Sequence, residues 1–396
     1  MNVIKGLKNF HHYQFNNVNY YLLGDIHKQL PDPCPEYQCD HMTNNFTTLN
    51  ISNTSCINVT AFIYEWLNYN YNHNITTNFY IENAFSKELT ISNQLLNSYE
   101  DNDGNTSYSH KGYLYDTLIM LKDCLHHQCQ YNPIVKIHYT DPRQTVINGI
   151  RYHSNPFILD DILNTFIVAK DIPNITDNVI IQLKEYVKLI NFLIEESPYL
   201  LKLALSSTNF TLDMGKFLRL LGTILSEKSI IRRKFIAIVS KMLSLTKYRN
   251  NINVHPIAAQ LMKLDEPIRK KINQYMIYKN TQYVKQLHHD DKYNIENDIK
   301  MINMYIHGIG NYDDVLLAIS NINDKLVLLS TLYMDAYLLA RMFTYEQEEV
   351  IIYVGSHHVS VIAEFLMHFK AEPMIQIDND DTCIHISDDH INNRRK

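Results

Sequence analysis

Two apolar runs, each closed by Gly-x-x-His, lie near opposite ends of the chain. The first is Asn19-Tyr20-Tyr21-Leu22-Leu23-Gly24-Asp25-Ile26-His27, and the second is Val350-Ile351-Ile352-Tyr353-Val354-Gly355-Ser356-His357-His358. Each reads as a buried strand that stops at a glycine and then presents polar, metal-competent side chains. In an α/β protein such strand ends are where ligands gather. With 10 glycines and 19 histidines in 396 residues, about half a Gly-x-x-His match is expected by accident. Two matches, following apolar runs of four residues (Tyr20 to Leu23) and five (Val350 to Val354), exceed that expectation.

Between these ends the pattern changes twice. After the first strand comes a long polar loop, 28–55, and then helical spacing over 56–69 through Ile57, Ala61, Tyr64 and Leu67. A second short strand, Asn78 to Glu82, ends in a carboxylate. The polar stretch 98–109 reads as another loop, and Leu114, Leu118, Leu121 and Leu125 line one face of a helix over 113–126. A third strand, Pro133 to Tyr139, is expected to close at Thr140-Asp141-Pro142-Arg143. Strand, helix, strand, helix, strand is the signature of a parallel sheet. From about Phe157 to Phe343 only helical periodicity appears. Strand, helix, strand then return at 350–354, 359–369 and 373–377.

The expected architecture is therefore α/β. It has a mostly parallel central sheet formed from both chain ends, residues 1–155 and 345–396, with residues 156–344 as a large helical insertion or lobe. In a parallel sheet the residues just past the strand ends share one edge. That edge would collect Asp25, His27, Glu82, Asp141, Arg143, His357 and His358.

Composition removes several function classes. A net charge of -6 and a pI near 6.3 leave no concentrated basic face, so no nucleic-acid partner is expected. Lys228, Arg232, Arg233 and Lys234 cluster on a helical pattern and read as a solvated face. No run of 18 apolar residues occurs, so no membrane span is expected. The first residues carry no apolar signal core. Eight Asn-x-Ser/Thr sequons, at Asn45, Asn50, Asn53, Asn58, Asn74, Asn105, Asn174 and Asn209, are attributed to an Asn-rich, Gly-poor composition. An intracellular protein is expected on that ground. Of the six cysteines, Cys34/Cys39 and Cys124/Cys129 stand at the loose edge of zinc spacing, with free thiols or a loop disulfide as the plainer readings.

Two imidazoles and a carboxylate form the ligand set of a catalytic divalent site with an open position for water. His27, Glu82 and His358 supply that set for Mn, Zn, Co or Fe. Asp25 is then a fourth ligand or a general base, with His357 a further catalytic candidate beside it. Arg143 would hold an anionic substrate group or a developing oxyanion. His138, inside the third strand, reads as a packed histidine. Tyr337 and Arg341, one turn apart on a helix, read as a tie between helix and sheet.

Gly24-Asp25-Ile26-His27, the strand-terminal Glu82 and Gly355-Ser356-His357-His358 resemble the TIKI/TraB superfamily, which includes ChaN-like and erythromycin-esterase-like proteins. The resemblance covers the sheet-forming ends and leaves out the helical middle. It implies an α/β fold of two related halves and, in some members, a metal-dependent peptidase or esterase. By it His27, Glu82 and His358 would be metal ligands, with Asp141 and Arg143 less firmly matched. The Asn/Ile/Tyr-rich composition also resembles that of proteins from large DNA viruses. A non-catalytic virion or virus–host interaction protein retaining the fold is therefore a second expectation. Asp25-Ile26-His27 is also similar to the Asp-x-His that opens calcineurin-like metallophosphoesterases. The Gly-Asp-x-x-Asp and Gly-Asn-His that such enzymes need are missing.

Overall fold

The computed structural model describes residues 2–25, 56–86, 113–121, 131, 133–147, 150–170, 177–250, 253–379 and 383–386. The chain is a mixed α/β protein. It forms two compact units, Met1–Asp141 with Tyr345–Lys396, and Pro142–Thr344.

The elements in order are β1 (Asn2–Lys5), β2 (Asn9–Phe15), β3 (Val18–Asp25), β4 (Cys56–Asn58), α1 (Val59–Asn72), β5 (Thr77–Ser86), α2 (Tyr113–Met120), β6 (Val135–Ile147) and β7 (Ile150–His153). Nine helices, α3 to α11, follow among the described residues, from Asp160 to Met342, the last of them Tyr312–Met342. The chain then forms β8 (Glu349–Gly355), α12 (Ser356–His368), β9 (Glu372–Asp378) and β10 (Cys383–Ile386).

In the first unit the main sheet runs β6-β5-β8-β3-β2-β9, with a smaller sheet β10-β1-β4 beside it. β8 lies between β3 and β5 and is parallel to both. Every residue of β8 is buried, which is why Val350 to Val354 is continuously apolar and not alternating. β2 is antiparallel to β3 and to β9. The β2–β3 hairpin turns on Asn16 and Asn17, both left-handed at φ 50° and 64°. That is the two-residue turn whose twist suits a hairpin, and asparagine tolerates it. Sequence periodicity alone did not reveal β2, because His11 and His12 interrupt its apolar alternation.

Crossover direction places the helices. β3 leads through α1 to β5, passing β8, whereas β8 leads through α12 to β9, passing β3 and β2. The two connections depart in opposite directions along the sheet, so right-handed crossovers put α1 and α12 on opposite faces. Side-chain parity agrees. Tyr21, Leu23, Phe79, Ile81, Ile351 and Tyr353 share a core with Phe62, Ile63, Trp66 and Leu67 of α1. α12 packs against β3, β2 and β8. Asn58 starts α1 by accepting from the Ala61 amide at 2.8 Å, a side-chain N-cap.

Burial works against one carboxylate in this unit. Asp116, in the first turn of α2, has its pKa pushed up to about 6 by desolvation. A folded-state value above the unfolded one means that the native chain holds its proton longer. Stability therefore falls as pH rises from about 4 to about 6. Asp116→Asn should remove that slope, leaving stability below pH 4 almost unchanged and raising it at pH 7. Urea midpoints across this range measure it.

Two sequence expectations on the third strand are corrected. β6 does not close at Thr140 to Arg143 but runs on to Ile147, and its last four residues pair antiparallel with β7. Asp141 ends the first unit and Arg143 lies within β6 in the second. The unit boundary accordingly falls at 141/142, ahead of 155. Pro142 sits before the residues that pair with β7, where its missing N–H costs no bond of that ladder.

In the second unit α11 is the central helix, with Val315, Ile319, Ile322, Leu326, Leu329 and Leu332 fully buried. Among the described residues it alone is long and apolar enough to cross a membrane, and 56% of that apolar stretch is buried within the chain. Lys325 on α11 donates to Asp298 at 2.6 Å and to the Asn294 carbonyl at 2.7 Å. A buried carboxylate is thereby matched to a cation. Arg341 donates to the Tyr337 hydroxyl at 3.3 Å, so these two are engaged with each other along α11.

Candidate functional site

The two Gly-x-x-His strands are neighbours. In the β3–β8 ladder Gly24 stands opposite Val354 and Asp25 opposite Gly355. The connections leaving β3 and β8 depart in opposite directions, which makes this the topological switch point, the place where open α/β sheets form a crevice.

Register separates the candidate side chains by face. The motifs are offset by one residue, so alternation sends Asp25 to the α1 face with Leu23 and Tyr353. There the buried Asp25 accepts a hydrogen bond from the Tyr353 hydroxyl at 3.3 Å. Ile81 pairs with Tyr353 on the same face, so Glu82 projects to the opposite one, beneath α12. Its Oε2 accepts from the Gly355 amide at 2.7 Å, and its Oε1 lies 3.6 Å from His358 Nε2. Gly355 is the N-cap of α12, so the carboxylate sits where the helix dipole favours negative charge. The side chain of His358 is 5% exposed and that of Glu82 13%. Glu82 is not strand-terminal as expected, since β5 continues to Ser86.

The structure thus brings Glu82 and His358 together and places Asp25 on the other side of the sheet. His357 is exposed, its ring 6.0 Å from that of His358. Asp25, Glu82, His357 and His358 each make at least one further interaction. His27 lies outside the described residues, as do Cys34, Cys39, Cys124, Cys129 and the side chain of Arg143. His138 is packed, stacked on Tyr80 and Tyr345, with Nε2 2.6 Å from Asn78 Oδ1.

Three residues that sequence periodicity did not single out join the same sheet edge. Asn9 pairs with both Gly24 and Asp378. Asn9 Nδ2 donates to Asp378 Oδ1 at 2.5 Å, and His11 Nε2 lies 2.8 Å from the same oxygen. Desolvation works against the Asp378 carboxylate. Hydrogen bonds from Asn9 and His11, with the charges of His11 and Lys8, more than offset it and hold its pKa below the usual value. Asp378 ends β9, and recognising β2 as its antiparallel partner would have revealed the cluster.

The glycine of the first motif has a steric reason. A Cβ on Gly24 would overlap Asn9 Oδ1 and stand 3.0 Å from Asn9 Cβ and Cγ. Gly24→Ala should displace Asn9 from Asp378 and cost about 1–3 kcal/mol. The loss is readable as a lower urea midpoint at unchanged m-value.

Among the described residues no group of three or more His, Cys, Asp or Glu side chains is arranged to hold a metal ion. Glu82 and His358 do fit two adjacent corners of one. Donors about 2.1 Å from a tetrahedral ion are about 3.4 Å apart, and the pair stands at 3.6 Å. Comparison with protein-family models, curated proteins and solved structures finds no match for this chain.

Proposed function

We propose that the chain is a metal-dependent hydrolase of peptidase or esterase type, with a TIKI/TraB-like pocket closed by both chain ends. The observation that carries this reading is the Glu82–His358 pair, at ligand spacing, at the switch point of the sheet. Glu82 and His358 hold a divalent ion (Mn, Zn, Co or Fe), and His27, two residues beyond β3, supplies the third ligand. When bound, the ion supplies water acidified to a nucleophile near neutral pH. Asp25, held by Tyr353 on the opposite face of the sheet, is left out of this ligand set and is assigned no proton transfer at the ion.

A second reading is favoured by the Gly355 amide on Glu82. In that reading Glu82 only anchors the start of α12, and the fold is a non-catalytic scaffold, for example of a virion or a virus–host contact.

The test is hydrolysis by the full chain of chromogenic esters, peptides and phosphodiesters with each metal in turn. Metal-dependent turnover of esters or peptides, lost in His27→Ala and kept in His138→Ala, is the expected result. Turnover of phosphodiesters alone transfers the site to the phosphoesterase class. No turnover with any metal leaves the scaffold reading.

A further inference from the structure

Cys56 and Cys383 are both disulfide-bonded. They lie on β4 and β10, which flank β1 on either side, with Cys56 opposite Val3 and Cys383 opposite Lys5. Two strand spacings, about 9.5 Å, exceed the roughly 6.8 Å across which one disulfide joins two Cα atoms. The two cysteines are therefore not joined to each other, and the chain holds at least two disulfides. Stable disulfides belong to oxidising compartments. The same compartments are where Asn-x-Ser/Thr acquires glycans.

Two of the eight sequons lie where the fold accepts a large hydrophilic group. Asn74 is exposed, left-handed at φ 56° in the turn after α1, and Thr76 beside it is exposed as well. Asn209 and Thr211 are also exposed, at the start of the helix Phe210–Ile224. Asn209 caps that helix through Oδ1, which accepts from the Leu212 amide at 3.2 Å and from Asn253 Nδ2 at 2.5 Å. An N-linked glycan attaches at Nδ2, so capping and glycosylation use different atoms of one side chain. Asn58 differs, being half-buried and followed two residues later by the buried Thr60.

We propose that the chain matures in an oxidising, extracytosolic compartment and carries N-linked glycans on Asn74 and Asn209. The donor is a polyprenyl-diphosphate oligosaccharide. Nδ2 forms a bond to the anomeric carbon, the bond from that carbon to the diphosphate oxygen breaks, and the amide gives up one proton as the lipid diphosphate leaves. The disulfides and the exposed sequons take the place of the composition-based expectation of an intracellular protein, independently of the Glu82–His358 pair.

Peptide mapping of the full chain from the cells that make it, under non-reducing conditions and with and without peptide-N-glycosidase, tests it. Asn74 and Asn209 should read as aspartate only after the enzyme, with Cys56 and Cys383 in disulfide-linked peptides. Asn74→Gln and Thr76→Ala should each remove one glycan, and Thr211→Ala should remove the other while leaving the Asn209 cap. An unmodified asparagine at either position overturns that assignment. Alkylatable thiols at Cys56 and Cys383 overturn the compartment.

Discussion

His358→Ala should abolish stoichiometric binding of divalent metal, and Glu82→Gln should weaken it by about 100-fold or more. The two substitutions act on different parts of the arrangement. His358 is nearly buried and faces Glu82 through Nε2 at 3.6 Å, so alanine removes a donor that water replaces poorly. Glutamine at position 82 keeps an oxygen to accept from the Gly355 amide and preserves the start of α12. It removes the negative charge that a divalent ion requires of its carboxylate ligand. Under the scaffold reading the glutamine variant behaves as wild type in every measurement. Under the hydrolase reading it unfolds like wild type and binds metal poorly. Isothermal titration with Zn and Mn, alongside urea unfolding of the metal-free chain, separates the two.

The largest stability effect should come from Glu349, at the first position of the central strand β8. Its Oε1 accepts from Trp66 Nε1 at 2.5 Å and from Asn70 Nδ2 at 2.7 Å. Asn70 also donates to Thr77 Oγ1 at 2.9 Å. One carboxylate therefore ties α1 to two neighbouring parallel strands inside a buried region, where it is 6% exposed. Glu349→Leu fills similar volume but strands the indole N–H and weakens the hold on Asn70. Each buried donor left unmatched costs about 1–3 kcal/mol, so the expected loss is about 2–4 kcal/mol. Glu349→Gln retains an acceptor and should recover much of it. The difference between the two variants, read as urea midpoints at a common m-value, isolates the hydrogen bonds from the packing.

Much of this was legible in the sequence because strands buried on both faces leave an unmistakable apolar run. Leu22-Leu23 and Val350 to Val354 located β3 and β8, and glycine marked where each run stops. The ladder that sets them side by side is consistent with the shared design of the two motifs. What could not be read was register. A one-residue offset sends Asp25 and Glu82 to opposite faces, and nothing in a linear sequence states which residue of one strand opposes which of another. Two further features were hidden by residue type. The β2–β3 turn uses Asn16-Asn17 in place of the Asn-Gly that announces such hairpins, and Pro142 imitates a strand end while β6 continues through it. Overlooking β2 concealed Asn9 and His11, and with them the steric reason for Gly24. The disulfides of Cys56 and Cys383 were equally invisible, because pairing is a matter of spatial approach, not spacing along the chain.

Metal content of the purified full chain, measured by plasma mass spectrometry after dialysis against Mn, Zn, Co or Fe, decides whether Glu82 and His358 belong to a metal site. Close to one equivalent of one of these metals per chain is expected, lost in His27→Ala and in His358→Ala and retained in His138→Ala. A chain that takes up none of the four, or that holds metal unchanged when His27 and His358 are replaced, would contradict a metal site there.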